Sequence, residues 1–439
     1  MKIMLMRAVT TMFTSRTLRN LRRAIHTSKR KLTGGVPTVH YFHQPDDPYS
    51  HVAAQTLQPL LRRYRVKLVP WIVSPPDDAA APERERLKIY ALRDAARLAA
   101  EYNLEYPSGA KLPDAGLVSA LSAVLAAALK SGKFIDIAPA AGKALWAEDR
   151  ASLAALAAQH GEASPAEVAS AIAEGDSQRK RLGHYLSGMF YFEGEWYWGV
   201  DRLNHLEERL AGLGLDREAK GTPMIAPYRD MVLRTPPAHR GARPVIEYWF
   251  SFRSPYSWIS FPRMRRLAKH YDCELRLRYI LPMVMRGLPV PGVKRMYITL
   301  DTKREAERAG IPYGTIVDPV GPGAERALAV LHQAVKLGRG EDFAELGLRA
   351  AFADGIELAS DRGLTDVAKR AGLSADVVKT ALADESWREV AEENRLALFD
   401  AGLWGAPSFR VDGKPAHWGQ DRFWALEQDI IQSIEGRNS

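Results

Sequence analysis

The feature that most constrains the fold is an internal repeat. When the first half of the chain is shifted by 207 residues, it matches the second half at aromatic, apolar and acidic positions. The matching pairs are Tyr64 with Tyr271, Leu68 with Leu275, Tyr90 with Tyr297, Asp94 with Asp301 and Tyr106 with Tyr313. Near the ends of the halves the offset becomes 220, where residues 198–202 match residues 418–422. Such a long shared register predicts two tandem copies of one domain.

The repeat sets the expected domain boundaries. The first copy is predicted over residues 36–215 and the second over residues 244–439, which agrees with a length of 439 residues. Residues 216–243 form the expected linker, because their prolines and glycines interrupt any helical or strand periodicity. Residues 1–35 are a basic leader that we expect to be disordered.

Each copy shows the same predicted order of elements. In the first copy, strands are expected at residues 39–43, 66–73, 189–192 and 195–198. Helices are expected at residues 50–64, 83–101, 115–131 and 144–158 and from residue 164 onward. A βαβ unit, a helical block and a ββα unit predict an α/β fold. We therefore expect two tandem thioredoxin-like domains, each with an inserted α-helical subdomain.

The charge of the chain is concentrated in the leader. The formal net charge is +9, but residues 1–45 hold nine basic and no acidic residues, and the rest of the chain is balanced. The folded part therefore gives no reason to expect nucleic-acid binding. A basic leader can be a targeting segment, a membrane-surface helix or a disordered tail, and we favour the tail. No apolar run is long enough to predict an integral membrane segment.

The chain has a single cysteine, Cys273. A lone cysteine rules out an intramolecular disulfide, and it suits a reducing, cytoplasmic location. No second cysteine or metal-ligand spacing lies near it, so the sequence predicts no metal site.

The tetrad Ser254-Pro255-Tyr256-Ser257 follows an apolar run at residues 245–250 and precedes a helical pattern. Redox enzymes with a thioredoxin fold carry Cys-x-x-Cys at such a position. Both positions are serine here, so dithiol exchange at this site is excluded. A hydroxyl at a helix N-terminus favours a bound anion, such as the thiolate of glutathione, although a serine there is also an ordinary N-cap.

Four markers in order make residues 244–434 resemble the kappa-class glutathione transferase and 2-hydroxychromene-2-carboxylate isomerase family, a DsbA-like branch of the thioredoxin superfamily. The markers are Ser254 to Ser257, Lys294 with Tyr297, Gly405-Ala406-Pro407, and Gly419-Gln420-Asp421-Arg422. The resemblance implies a glutathione-dependent enzyme on this fold.

The resemblance also implies roles for individual residues. Ser254 would stabilise the glutathione thiolate, Pro407 would be the cis-proline of the fold, and the backbone of Ala406 would pair with the cysteinyl group.

The remaining glutathione contacts would come from Gln420 and Asp421, at the γ-glutamyl end, and from Lys294, at the glycyl carboxylate. Asp421 could instead cap a helix, and Lys294 could be a solvated surface charge. Further candidates for substrate contacts are Arg253, Tyr256 and Ser257.

The first copy lacks this equipment. Asp47 stands at the position of Ser254, where a carboxylate would repel a thiolate, and Gly188 falls opposite Pro407 once a one-residue gap is allowed. Asp201 persists but is also typical of a helix cap. We expect the first copy to be catalytically silent and to pack on the second as an intrachain pseudo-dimer.

The predicted function is a glutathione-dependent isomerase or transferase that acts on a small aromatic-derived or electrophilic substrate, as in aromatic compound degradation. The alternative is a DsbA-family protein without redox cysteines that serves as a binding or scaffold protein.

Overall fold

The computed structural model describes residues 2–238 and 241–438. The chain divides into two compact units. The N-terminal unit comprises residues 20–228, and the C-terminal unit comprises residues 229–439 together with residues 1–19. The first two helices are α1 (Lys2–Phe13) and α2 (Arg16–Leu32), and the boundary between the units falls within α2.

The N-terminal unit contains four strands and eight helices after α2. The strands are β1 (Thr38–His43), β2 (Lys67–Ile72), β3 (Met189–Phe192) and β4 (Glu195–Trp198). The helices are α3 (Pro48–Ala54), α4 (Leu57–Arg63), α5 (Arg84–Glu101), α6 (Ala115–Lys130), α7 (Phe134–Trp146), α8 (Arg150–His160), α9 (Pro165–Arg181) and α10 (Gly199–Gly212).

The four strands form one sheet in the order β2-β1-β3-β4. β1 and β2 are parallel, with Val39 opposite Leu68, and they are joined by the helical crossover that parallel strands need. β3 is antiparallel to β1, with Met189 opposite Phe42. This topology confirms the predicted βαβ and ββα halves, and β3 and β4 lie at the predicted residues.

The C-terminal unit repeats this plan. Its strands are β5 (Val245–Phe250), β6 (Glu274–Tyr279), β7 (Ser408–Val411) and β8 (His417–Trp418). Its helices after α1 are α11 (Pro255–His270), α12 (Gly292–Ala309), α13 (Pro322–Lys336), α14 (Gly340–Arg349), α15 (Asp361–Arg370), α16 (Ala375–Ala383), α17 (Trp387–Asp400) and α18 (Phe423–Asn438). Short 3-10 turns cover Met283–Arg286 and Gln420–Arg422, and a π-helical turn covers Ala350–Asp354.

The second sheet has the order β6-β5-β7-β8. β5 and β6 are parallel, and β7 is antiparallel to β5 with Ser408 opposite Trp249. Because β5 is central, its side chains Ile246, Tyr248 and Phe250 are fully buried in the main apolar core. The helical block between β6 and β7 forms the predicted insertion.

The two units share side-chain contacts as well as strand order. Tyr41 donates a hydrogen bond from its hydroxyl to Ser50 O (2.6 Å), and Tyr248 donates one to Ser257 O (3.2 Å). Each member of these pairs lies 207 residues from its counterpart. The same holds for two tyrosine–aspartate hydrogen bonds, which join Tyr49 to Asp94 (2.8 Å) and Tyr256 to Asp301 (2.7 Å).

The predicted linker is divided between the units at residue 228. In the N-terminal unit, Glu207 accepts hydrogen bonds from the backbone N–H groups of Ile225 and Ala226. In the C-terminal unit, Glu427 accepts them from Val232 and Arg234. Most of the linker is irregular, as its prolines predict, but it is fixed to each unit by a buried carboxylate.

The prediction of a disordered leader is wrong, because residues 2–13 and 16–32 are helical. Thr14 is buried and donates a hydrogen bond to Gly314 O (3.3 Å), and Arg19 pairs with Glu307 (2.8 Å) within the C-terminal unit. Each acidic or carbonyl partner lies hundreds of residues away in sequence, so local composition could not reveal it. Within the described residues, no helix combines the length and apolar character needed to cross a membrane.

Candidate functional site

Ser254 is the N-cap of α11, with extended backbone angles of φ −94° and ψ 112°. Its Oγ accepts a hydrogen bond from Ser257 N (3.1 Å) and donates one to Ala406 O (3.0 Å). Pro255, at the first helical position, has no N–H group to satisfy and favours a helix start. The half-buried hydroxyl therefore lies at the positive end of the helix dipole.

The Ala406–Pro407 peptide bond is cis, as the resemblance implied. Pro407 is buried, and its carbonyl oxygen accepts a hydrogen bond from Gly419 N (2.9 Å). Ser408 Oγ donates to Gly405 O (2.8 Å) at the start of β7. The loop thus places the half-buried Ala406 beside Ser254.

Sequence reasoning missed the aromatic support of this loop. The rings of Trp404 and Trp418 lie 4.8 Å apart, and Arg286 donates a hydrogen bond to Trp404 O (2.9 Å). A Cβ atom on Gly405 would lie only 2.7 Å from Trp418 Nε1. Glycine is therefore required at residue 405 for the loop to approach the indole. The Trp-Gly pair directly before Ala406 was the available signal.

Gln420 has a different position from the one expected of a ligand contact. Its side chain is 1% exposed and bonds to Arg263 Nη1 (2.5 Å) and Glu305 Oε2 (3.0 Å). It also donates to Asp421 Oδ1. These partners surround the amide, so Gln420 orients Asp421 and does not face a ligand. Asp421 itself is half-buried.

Lys294 lies in the first turn of α12, a helix that packs beside α11. Burial lowers the pKa of this lysine to about 8. A lysine whose surroundings weaken its charged form gains more from a bound anion than a fully solvated lysine does. The half-buried side chain does not fit the alternative of a solvated surface charge.

The three candidates for substrate contacts have different environments. Arg253 forms a two-pronged ion pair with Asp318, at 2.8 and 2.9 Å. Tyr256 is half-buried, and its hydroxyl donates to the buried Asp301.

Ser257 is completely buried, and its Oγ accepts a hydrogen bond from Ser251 N (3.4 Å). The prediction that the Ser257 side chain contacts substrate is therefore wrong, because its hydroxyl faces the interior of the turn. Its backbone N–H nevertheless contributes to the site through the hydrogen bond to Ser254.

In the N-terminal unit, the sheet register places Gly188 where the other unit has Pro407. Met189 pairs with Phe42, while Ser408 pairs with Trp249, which lies 207 residues after Phe42. The equivalent of Ser254 is therefore Asp47, as the repeat predicts.

Asp47 caps α3 and is saturated by protein donors. Its carboxylate accepts hydrogen bonds from Tyr49 N, Ser50 N, Ser50 Oγ and Ser187 Oγ. Burial raises the pKa of Asp47, and the hydrogen bonds from Ser50, Ser187 and Tyr49 act in the opposite direction. This position can accept but cannot offer a hydroxyl donor at pH 7.

Comparison with known proteins identifies relatives of the C-terminal half. Residues 245–431 match the model of the DSBA-like thioredoxin domain. A 2-hydroxychromene-2-carboxylate isomerase from Pseudomonas sp. (strain C18) is 22% identical over 195 residues, which is 42% of this chain and 90% of that protein. One from Sphingobium xenophagum is 26% identical over 200 residues, which is 42% of this chain and 97% of that protein.

Solved structures are similar to the same extent of chain. A 2-hydroxychromene-2-carboxylate isomerase has 21% identity and a TM-score of 0.38, covering 44% of this chain and 98% of that one. The cytosolic disulfide reductase DsbM from Pseudomonas aeruginosa has 17% identity and a TM-score of 0.34, covering 44% and 98%. The C-terminal half of this chain therefore contains a DSBA-like thioredoxin domain with 2-hydroxychromene-2-carboxylate isomerases among its relatives.

Proposed function

We propose that the chain is a glutathione-dependent isomerase or transferase for a small aromatic-derived or electrophilic substrate. The observation that carries the proposal is the position of Ser254 Oγ, at a helix N-terminus and beside the carbonyl oxygen that precedes a cis-proline. The isomerases that match this half of the chain support the choice of reaction class.

The hydrogen bonds of Ser254 explain how it would act. Ser257 N–H donates to Oγ, which polarises the hydroxyl and makes it a better donor. The hydroxyl proton is directed at Ala406 O in the free protein. When the cysteinyl N–H of glutathione bonds to Ala406 O, the hydroxyl turns to the sulfur. Donation to the charged form, together with the helix dipole, then lowers the thiol pKa.

The remaining contacts would hold the two ends of the tripeptide. Asp421, oriented by Gln420, would accept the ammonium of the γ-glutamyl group. Lys294 would pair with the glycyl carboxylate, which compensates for the cost of burying its ammonium group.

The chemistry is a reversible addition. In the isomerase reaction the thiolate sulfur forms a bond to a conjugated carbon of the substrate, and the double bond becomes a single bond that can rotate. Elimination then breaks the carbon–sulfur bond and regenerates both the double bond and the thiolate. In the transferase reaction the carbon–sulfur bond remains, and the electrophile leaves with glutathione attached.

We also infer that the chain arose by tandem duplication, with the N-terminal unit as a scaffold that has no glutathione chemistry. Equal strand order and paired hydrogen bonds at an offset of 207 residues support the duplication. The saturated carboxylate of Asp47 supports the loss of function. Packing of the halves as a pseudo-dimer remains a prediction.

The test is to compare wild type with Ser254→Ala. We expect glutathione-dependent isomerisation of 2-hydroxychromene-2-carboxylate to fall about 10²-fold, because one donor to the developing thiolate is lost. Calorimetric titration would measure glutathione binding, and Ser187→Ala in the N-terminal unit is the matched control. If glutathione does not bind saturably, or if turnover with either class of substrate is the same in both proteins, a scaffold is the better description.

A further inference from the structure

The helix α2 combines the densest positive charge in the chain with an exposed apolar face. It holds seven basic residues and no acidic residue. Leu21, Ile25 and Leu32 are 55%, 57% and 87% exposed, although apolar side chains of this size are usually buried. With Ser28 they follow the spacing i, i+4, i+7 and i+11, so they lie along one face of the helix.

The other face of α2 is held by the N-terminal unit. Arg23 forms a two-pronged hydrogen bond with Glu195, at 2.8 and 2.7 Å. Arg30 and Thr27 both donate to Glu193, at 2.5 and 2.9 Å. Glu193 and Glu195 lie at the turn between β3 and β4 and at the start of β4. Because residues 23, 27 and 30 share a face, these contacts direct the apolar face away from the hairpin.

Exposed lysines lie beside the apolar face. Lys29 lines the same groove as Ile25 and Leu32, and Lys31 lies one residue before Leu32 on the opposite flank. At 100° per residue, the two lysines lie on either side of the line formed by Leu21, Ile25 and Leu32. A central apolar line with cations at both margins matches a helix that lies in the interface of a lipid bilayer.

We propose that α2 docks the protein on the surface of an anionic lipid bilayer, with Leu21, Ile25 and Leu32 inserted and Lys29 and Lys31 at the headgroups. Nucleic acid fits this face less well, since the apolar line occupies its centre and offers nothing to phosphate. Self-association fits less well too, since a second copy would bring an equally cationic face against the first. In the C-terminal unit, α1 also exposes Met4, Leu5 and Met12, which adds apolar surface suited to the same partner.

The first test is co-sedimentation of the full-length protein with vesicles. Wild type should bind phosphatidylcholine vesicles that contain about one third phosphatidylglycerol, and it should release as salt shortens the range of charge attraction. The double variant Leu21→Glu and Ile25→Glu should lose at least about tenfold in binding. The matched control places the same two glutamates at exposed apolar positions elsewhere, Leu337→Glu and Leu396→Glu, and should bind like wild type.

A second test reports where the helix goes. Because the single native cysteine, Cys273, is buried, an environment-sensitive dye can be attached selectively to Ile25→Cys or to the control Leu396→Cys. Vesicles should shift the emission of the dye at residue 25 to the blue and leave that at residue 396 unchanged.

Three outcomes would overturn the proposal: no binding of wild type to anionic vesicles, equal loss in the stripe variant and its control, or an unshifted dye at residue 25. A dimer in vesicle-free buffer that dissociates in the Leu21→Glu and Ile25→Glu variant would assign the face to a second copy instead.

Discussion

The same position in two similar units carries opposite chemistry. Ser254 begins α11 and has a hydroxyl that donates to one carbonyl oxygen and accepts from one N–H. Asp47 begins α3 and accepts hydrogen bonds from two N–H groups and two hydroxyls. Both side chains cap a helix, so both satisfy the same local requirement. Only Ser254 keeps a donor that can be redirected to a ligand.

The contrast shows that capping and ligand binding are separable. The loop opposite the cap differs in the same sense, because Ser187 donates its hydroxyl to Asp47 while Ala406 presents a carbonyl oxygen to Ser254. A site for a thiolate needs donors that are not already committed to a carboxylate. The N-terminal unit has used its donors internally, and this stabilises the turn at the expense of binding.

The largest effect is expected from exchanging the two capping residues. Ser254→Asp should lower glutathione-dependent turnover by at least about 10³-fold, because it removes the donor and adds a charge that repels the thiolate. The reciprocal change, Asp47→Ser, should leave turnover unchanged. Steady-state kinetics measure both.

A further ligand separates repulsion from misfolding. S-methylglutathione has no thiolate, so Ser254→Asp should weaken its binding much less than it lowers turnover. If Asp47→Ser reduces turnover as strongly as Ser254→Asp does, the assignment of activity to the C-terminal unit is wrong.

An intermediate effect is expected at Lys294, whose counterpart 207 residues earlier is Leu87. Lys294→Leu should weaken S-methylglutathione binding about 10- to 100-fold through loss of a charge-assisted hydrogen bond. Because burial lowers the pKa of Lys294 to about 8, its ammonium form is lost as the pH rises through this value. A bound carboxylate favours that form, so wild-type affinity should fall as the pH rises above about 8.

Titration calorimetry between about pH 6.5 and 9 tests this pH dependence, which the Lys294→Leu variant should lack. The matched control is Lys88→Leu, which removes the same charge from a surface residue paired with Glu85. A decline of the same size in wild type and Lys294→Leu would remove Lys294 from the site.

Much of the fold could be predicted from the sequence because its signals are local. Alternating or continuous apolar runs gave the strands, and Ser254-Pro255 marks a helix start. The split of residues 50–64 into α3 and α4 was missed, as was the division of residues 134–160 into α7 and α8. In α7, Pro139 lies inside the helix and concealed it.

The rest of the site depends on partners that are distant in sequence. Gln420 is withdrawn from ligand by Arg263 and Glu305, which lie 157 and 115 residues away. The ordering of α2 depends on Glu193 and Glu195. No pattern along the chain shows these contacts, so burial and the fate of the leader could be read only from the structure.

The smallest effect is expected from adding one methyl group to each loop. Gly405→Ala places a Cβ atom 2.7 Å from the indole of Trp418, so we expect a loss of about 1–3 kcal/mol in stability and a severalfold loss of turnover as the loop and Ala406 shift. Gly188→Ala has open space but a φ of 63°, which costs about 1–2 kcal/mol and should not affect turnover. Calorimetric unfolding and kinetics distinguish the two, and Trp418→Phe supplies a cycle. The smaller ring should make the double variant Gly405→Ala and Trp418→Phe less destabilised than the sum of the single variants. Additive losses would mean that contact with the indole does not position the loop, and the contrast between the two glycines would then reduce to backbone strain.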